Sequence, residues 1–170
     1  MNTVEPIRDL ETVLDIADYL KVRNKRDYVM FMFGIYSGLR ISDILQFRVR
    51  DVRDKDFICQ REKKTKKEKR FPINKELKAI IADYITDKRD FEFLFKSPGK
   101  PNQPITRQQA YNILSSAGKQ FGLDSIGTHT LRKTFGYHMY KQTGDAALIM
   151  DILNPVSYTH LRAHETELHL

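Results

Sequence analysis

Residues 24–45 read NKRDYVMFMFGIYSGLRISDIL, and the fold turns on this stretch. Asn24 is a helix-capping residue type, and Tyr28 through Tyr36 are almost continuously apolar, so Lys25 to about Ser37 predicts a central helix buried on most sides. Ser37-Gly38 ends it, because glycine adopts the left-handed C′ conformation at no steric cost. The chain turns there, which places Leu39 and Arg40 at a helix-to-helix corner, and Ile41, Ile44 and Leu45 seat a short helix beyond it. The longest uncharged run, Tyr28 to Leu39, is twelve residues and holds two glycines. A membrane-spanning helix needs about 20 apolar residues, so no span is expected.

Upstream, Leu10, Val13, Leu14, Ala17 and Leu20 follow the spacing of an amphipathic helix from about Arg8 to Val22. Downstream, Phe57-Ile58-Cys59 and Arg70-Phe71-Pro72-Ile73 predict two strands of a hairpin. Pro72 has no N–H to donate, which puts it at an edge or at a strand end. A helix follows from Lys75 to Asp87, with Leu77, Ile80, Ile81, Tyr84 and Ile85 inward. Phe91 to Phe95 is a short apolar segment and Ser97 to Asn102 a loop. Thr106 with Gln109 makes a capping box for a helix reaching about Phe121, stopped by Gly122. Thr128 or Thr130 begins another, to about Gln142, and after Gly144 a last helix runs from Ala146 to about Leu153. The fold class expected is mainly α with a small antiparallel hairpin.

With 170 residues the chain fits one domain of the usual size of about 100–200 residues. Apolar residues at 41% against 30% charged exclude wholesale disorder. Met1 to Leu10 carries Glu5 and Asp9 and has no apolar core, so it does not read as a secretory signal. A single cysteine, Cys59, excludes an internal disulfide, and the cytoplasm is the expected compartment.

The formal net charge is +7, and Arg61 to Arg70 (REKKTKKEKR) alone holds seven bases and two acids, or +5. Such a concentration favours a polyanionic partner, since neutralising phosphates releases counterions. A solvated hairpin tip is the plain alternative. His129 and Arg132 are i and i+3 on one helix face, while Leu131, Phe135, His138 and Met139 lie roughly on the other. An N-terminal helix residue and a surface charge would explain the pair as well. His138 reads as a hydrogen-bonded core histidine. Gly136 suggests close approach of another backbone, or packing alone. Arg40 and Asp43 could pair at the corner, either to orient the guanidinium or simply to tie the chain.

Gly38-Leu39-Arg40-Ile41-Ser42-Asp43-Ile44-Leu45, then a basic hairpin, then Thr128-His129-Thr130-Leu131-Arg132-Lys133-Thr134-Phe135 closely resembles the catalytic domain of the tyrosine recombinases, the phage integrase family. The resemblance covers about Pro6 to Asn154. It implies DNA strand cleavage and rejoining through a 3′-phosphotyrosyl intermediate, with no metal or nucleotide cofactor. It makes Arg40 and Arg132 the arginines on the scissile phosphate and His129 the proton-transfer residue and phosphate hydrogen-bond donor. Lys64 matches the lysine that protonates the leaving 5′ oxygen, with Lys63, Lys66 and Lys67 as alternatives because register is not fixed by sequence. Lys63, Lys66, Lys67 and Lys133 are the expected DNA-binding residues. Double-stranded DNA is the implied partner, and a tetramer on paired sites the family's usual assembly.

Two departures from the family pattern stand out. After Asp151-Ile152-Leu153-Asn154 the family continues to a nucleophilic tyrosine about nine residues past a histidine or tryptophan position, and here no tyrosine matches. Tyr158 comes too early, and His160 and His164 do not match. Val156 to Thr166 resembles an in-frame translation of a transposase-type sequencing adapter. Residues 1–154 are therefore read as the catalytic domain without its nucleophile segment, residues 155–170 as a non-native tail, and this chain as inactive. At the other end the chain starts almost directly at the first catalytic-domain helix, without the family's separate core-binding domain: either a catalytic-domain-only form or an incomplete start. A non-catalytic DNA-binding relative and a basic RNA- or ribosome-binding protein are the rival readings.

Overall fold

The computed structural model describes residues 5–61, 66–127 and 129–143. The first helix, α1, spans Leu10–Arg23 and starts two residues later than the spacing suggests, because the Asp9 carboxylate accepts the Glu11 N–H and caps it. Its buried stripe is Val13, Ile16, Ala17 and Leu20, whereas Leu10 and Leu14, expected inside, are exposed. Asn24 forms the whole joint to α2, Lys25–Ser37. Its N–H donates to the Leu20 carbonyl at the end of α1, and its side chain accepts from Asp27 N–H at the start of α2.

Helix α2 is buried from Val29 to Ile35 and packs against α1, the short α3 (Ile41–Ile44), α4 (Lys75–Tyr84) and α6 (Thr130–Thr143), which makes it the central helix. Phe33 anchors its middle, edge-on to Phe95 with ring centres 6.0 Å apart and tilted against Phe47 at 5.7 Å. A 3₁₀ turn, Val49–Asp51, follows α3. The apolar segment from Phe91 to Phe95 lies between two partners: Leu94 N–H donates to the Phe47 carbonyl and Ile105 N–H to the Phe95 carbonyl, so Leu94 and Phe95 are fully buried. Helix α5, Arg107–Lys119, carries both bonds of the expected capping box and ends before Gly122, which is left-handed at φ 75°.

Strands β1 (Phe57–Arg61) and β2 (Glu68–Pro72) pair antiparallel, with Ile58 opposite Phe71 and Cys59 opposite Arg70. The first pair faces the core and the second faces out, the alternation a one-sided sheet requires. Pro72 closes the ladder opposite Phe57, so β2 stops one residue short of the expected Ile73. Helix α4 likewise stops at Tyr84 rather than Asp87, where Ile85 leaves helical geometry. The helix expected from Ala146 to Leu153 and the tail 155–170 lie outside the described residues. No helix among the described residues is long and apolar enough to cross a membrane.

Candidate active site

The corner at residues 38–41 follows from three local choices. Gly38 sits at φ 69°, the left-handed conformation that ends α2, and the Ser37 hydroxyl accepts the Leu39 N–H at 3.2 Å. Leu39 and Ile41 are both buried, on either side of an extended Arg40 at φ −68° and ψ 144°. With its two neighbours anchored in the core, the Arg40 side chain is left exposed. Its carbonyl accepts from Asp43 and Ile44 N–H and opens α3. Among the described residues Arg40 and Asp43 form no ion pair.

Helix α6 is seated on this corner through two glycines. A Cβ at Gly34 would lie 2.3 Å from Leu131 Cδ1, and one at Gly38 would lie 2.4 Å from Phe135 Cδ2. Leu131 and Phe135 therefore fill the space the missing side chains leave, and α6 approaches the last turn of α2 closely. Arg132 stands between these two on the sequence. Its Nη1 donates to the Gly38 carbonyl at 2.9 Å, satisfying an acceptor at the negative end of α2.

Arg132 is thus half-buried, which excludes the alternative of a simple surface charge. Burial pulls its guanidinium below the usual arginine range, and the nearby Arg40 charge lowers it further, while Asp43 acts in the opposite direction. A guanidinium stays protonated at neutral pH under such shifts. The corner therefore holds two fixed positive charges close enough to repel each other, one exposed and one half-buried, with planar donors suited to phosphate oxygens.

His129 is the exposed residue at the head of α6, one turn before Arg132, and its carbonyl accepts the Lys133 N–H at 3.0 Å. Lys133 is exposed. Lys66, left-handed at φ 56°, and Lys67 are exposed on the returning arm of the hairpin. Lys63, Lys64 and Thr128 lie outside the described residues, as does Tyr158. Among the described residues no three His, Cys, Asp or Glu side chains are grouped to hold a metal ion.

His138 is half-buried, its Nε2 2.8 Å from the Ile7 carbonyl, as a hydrogen-bonded histidine on the apolar side requires. Gly136 is buried, and close approach of α6 to α2 occurs at Gly34 and Gly38. Sequence reasoning passed over Gly34 as a seat, although a small residue four positions before Gly38 on a helix otherwise bulky was its available signal. It also passed over Thr130 and Thr134, which are fully buried and four apart on the inner side of α6.

A profile of the phage integrase family matches residues 7–164. A probable integrase/recombinase, YoeC of Bacillus subtilis (strain 168), is 51% identical over 154 residues, covering 91% of this chain and 84% of that protein. The tyrosine recombinase XerD of Listeria innocua is 26% identical over 175 residues, covering 95% of this chain and 58% of that protein. In fold, the chain is similar to the XerH site-specific recombinase bound to its difH substrate, with a TM-score of 0.71 at 20% identity, covering 100% of this chain and 51% of that one. The chain thus spans little more than half the length of the second relative and of this structure.

Proposed function

The chain belongs to the phage integrase family, and from that premise we propose that it is the catalytic domain of a tyrosine-type site-specific recombinase acting on double-stranded DNA. The observation that carries this reading is the corner itself: Arg132 is bonded to the Gly38 carbonyl and lies within the field of Arg40, two residues further on. Two guanidiniums held near each other at a helix end present planar paired donors of the geometry that a bound phosphodiester accepts.

In this reading Arg40 and Arg132 hold the non-bridging oxygens of the scissile phosphate and stay charged as negative charge develops on them. His129, at the open end of α6, donates a hydrogen bond to the phosphate and serves proton transfer. A tyrosine oxygen attacks phosphorus, the P–O5′ bond breaks, and the leaving oxygen takes its proton from Lys64 on the hairpin tip, or from Lys63, Lys66 or Lys67. Attack by a 5′ hydroxyl of the partner strand reverses the step, so the bond energy is retained in the phosphotyrosyl link. Lys133 and the remaining hairpin lysines contact flanking phosphates, no metal is called for, and the working assembly is a tetramer on paired sites in the cytoplasm.

Residues 1–154 form the domain in this proposal, and residues 155–170 are foreign to it, so the chain as it stands makes no covalent bond to DNA. The nucleotide sequence beyond codon 154 tests the boundary: adapter bases support it, and genuine flanking sequence through Thr166 overturns it.

Nicked suicide duplexes test the chemistry. The domain completed with a segment that carries a tyrosine at the family spacing is expected to form a covalent protein–DNA adduct, lost in Arg40→Ala and Arg132→Ala. Salt-sensitive DNA binding without any adduct would instead support a non-catalytic DNA-binding relative. Tighter binding to RNA would support a ribosome- or RNA-associated protein.

A further inference from the structure

The segment ahead of α1 lies along α6, and α6 grips one of its residues by both backbone groups. Ile7 N–H donates to Thr134 Oγ1 at 2.9 Å, and the Ile7 carbonyl lies 2.8 Å from His138 Nε2. A carbonyl only accepts, so Nε2 carries the proton. Thr134 and His138 are four apart and hence share a helix face. The segment is tied down on both sides of Ile7: the Arg8 guanidinium lies 5.7 Å from the ring centre of Tyr137 on α6, and Glu5 N–H donates to the carbonyl of Ser125, ahead of α6, at 3.3 Å.

From Ile7 the bonds run on to the first turn of α6. The Thr134 hydroxyl passes its own proton donation to the Thr130 carbonyl at 2.7 Å, and Thr130 Oγ1 accepts Gly127 N–H at 2.7 Å. Both threonines are wholly buried. That first turn carries Arg132 and directly follows His129.

An apolar side chain at either threonine position would fill the space without desolvating a hydroxyl, and threonine is a weaker helix former than most. What a hydroxyl adds is direction. Leu131 and Phe135 over Gly34 and Gly38 also seat α6, but by apolar packing, which is less directional than a hydrogen bond.

We propose that Thr134 and His138 are positioning residues which, by clamping both backbone groups of Ile7, set the rotation of α6 and so the reach of Arg132 towards a DNA phosphate. This rests on the phosphate-binding reading of Arg132.

The test uses the chain as it stands and a duplex DNA of random sequence, with binding constants measured across a salt series. Arg132→Ala is expected to reduce the slope of log K against log salt by about 0.9, one phosphate contact. Thr134→Val and His138→Phe are expected to reduce it by a like amount while thermal melts show them folded at the assay temperature. Thr134→Ser and His138→Gln, which keep the hydroxyl and a donor, restore the slope. Thr134→Val combined with Arg132→Ala is expected to match Arg132→Ala alone. If Thr134→Val is not folded, Thr134→Ala removes the same hydroxyl at smaller volume.

An unchanged slope in Arg132→Ala overturns the phosphate reading and the inference together. A reduced slope there, with wild-type slopes in folded Thr134→Val and His138→Phe, overturns the positioning inference alone. So does a further loss in the double variant.

Discussion

A methyl group added at Gly38 would sit 2.4 Å from Cδ2 of Phe135, on a backbone already at φ 69°. Gly38→Ala therefore meets two penalties, overpacking and left-handed strain, and is expected to destabilise the domain by about 3 kcal/mol in urea unfolding. Gly34→Ala meets the first alone, against Leu131, and is expected to lose about 2 kcal/mol. Equal losses at the two positions would show that the φ angle contributes nothing. That Gly38 ends a helix was legible from its neighbours in sequence, because a helix end is a local event. Its second part, as the seat for a ring nearly a hundred residues away, was not. The same holds for Arg132: its helix face followed from spacing, whereas its half-burial against the Gly38 carbonyl depends on where α6 docks.

Among the elements, those defined by caps were the most legible. Thr106 Oγ1 accepts Gln109 N–H at 3.1 Å, and Thr106 N–H donates to Gln109 Oε1 at 2.8 Å, the reciprocal pair read from residue types three apart. Thr106→Ala is expected to lower stability by about 1 kcal/mol, seen as a shifted urea midpoint with an unchanged m-value. Helix α1 shows what periodicity leaves open. Two overlapping apolar stripes exist, and only the positions of α2 and α5 decide that Ile16 is buried and Leu14 exposed. The hairpin's strands and edge proline were likewise legible, while its pairing register came from the structure, with Ile58 opposite Phe71. Lys66→Gln with Lys67→Gln is expected to reduce the salt slope of DNA binding by up to about 1.8, near 0.9 for each phosphate contact removed. An unchanged slope would return the arm to an ordinary solvated surface.

At the scale of the molecule, stability should fall on acidification for reasons of both charge and a particular bond. The net charge of +7 grows as carboxylates protonate, which adds self-repulsion. Glu92 is held below the usual glutamate range, first by the Arg89 N–H it accepts, with burial opposing and Lys96 assisting. A carboxylate depressed on folding contributes fully above its unfolded pKa and loses that contribution as pH falls through the folded value. Glu92→Gln is therefore expected to lower the thermal midpoint at neutral pH and to flatten the acid limb of the stability curve. Parallel curves for the two proteins would reject the assignment. From sequence alone came the helices and strands of the described residues, the turn at Gly38 and the basic hairpin, because each rests on residues within a few positions of one another, and the family came from the order in which these local motifs follow along the chain. Tertiary structure alone decided that Arg132 binds the carbonyl of Gly38 under the charge of Arg40, since α2 and α6 are brought together by packing over two glycines and no local rule measures the distance between helices so far apart in the chain.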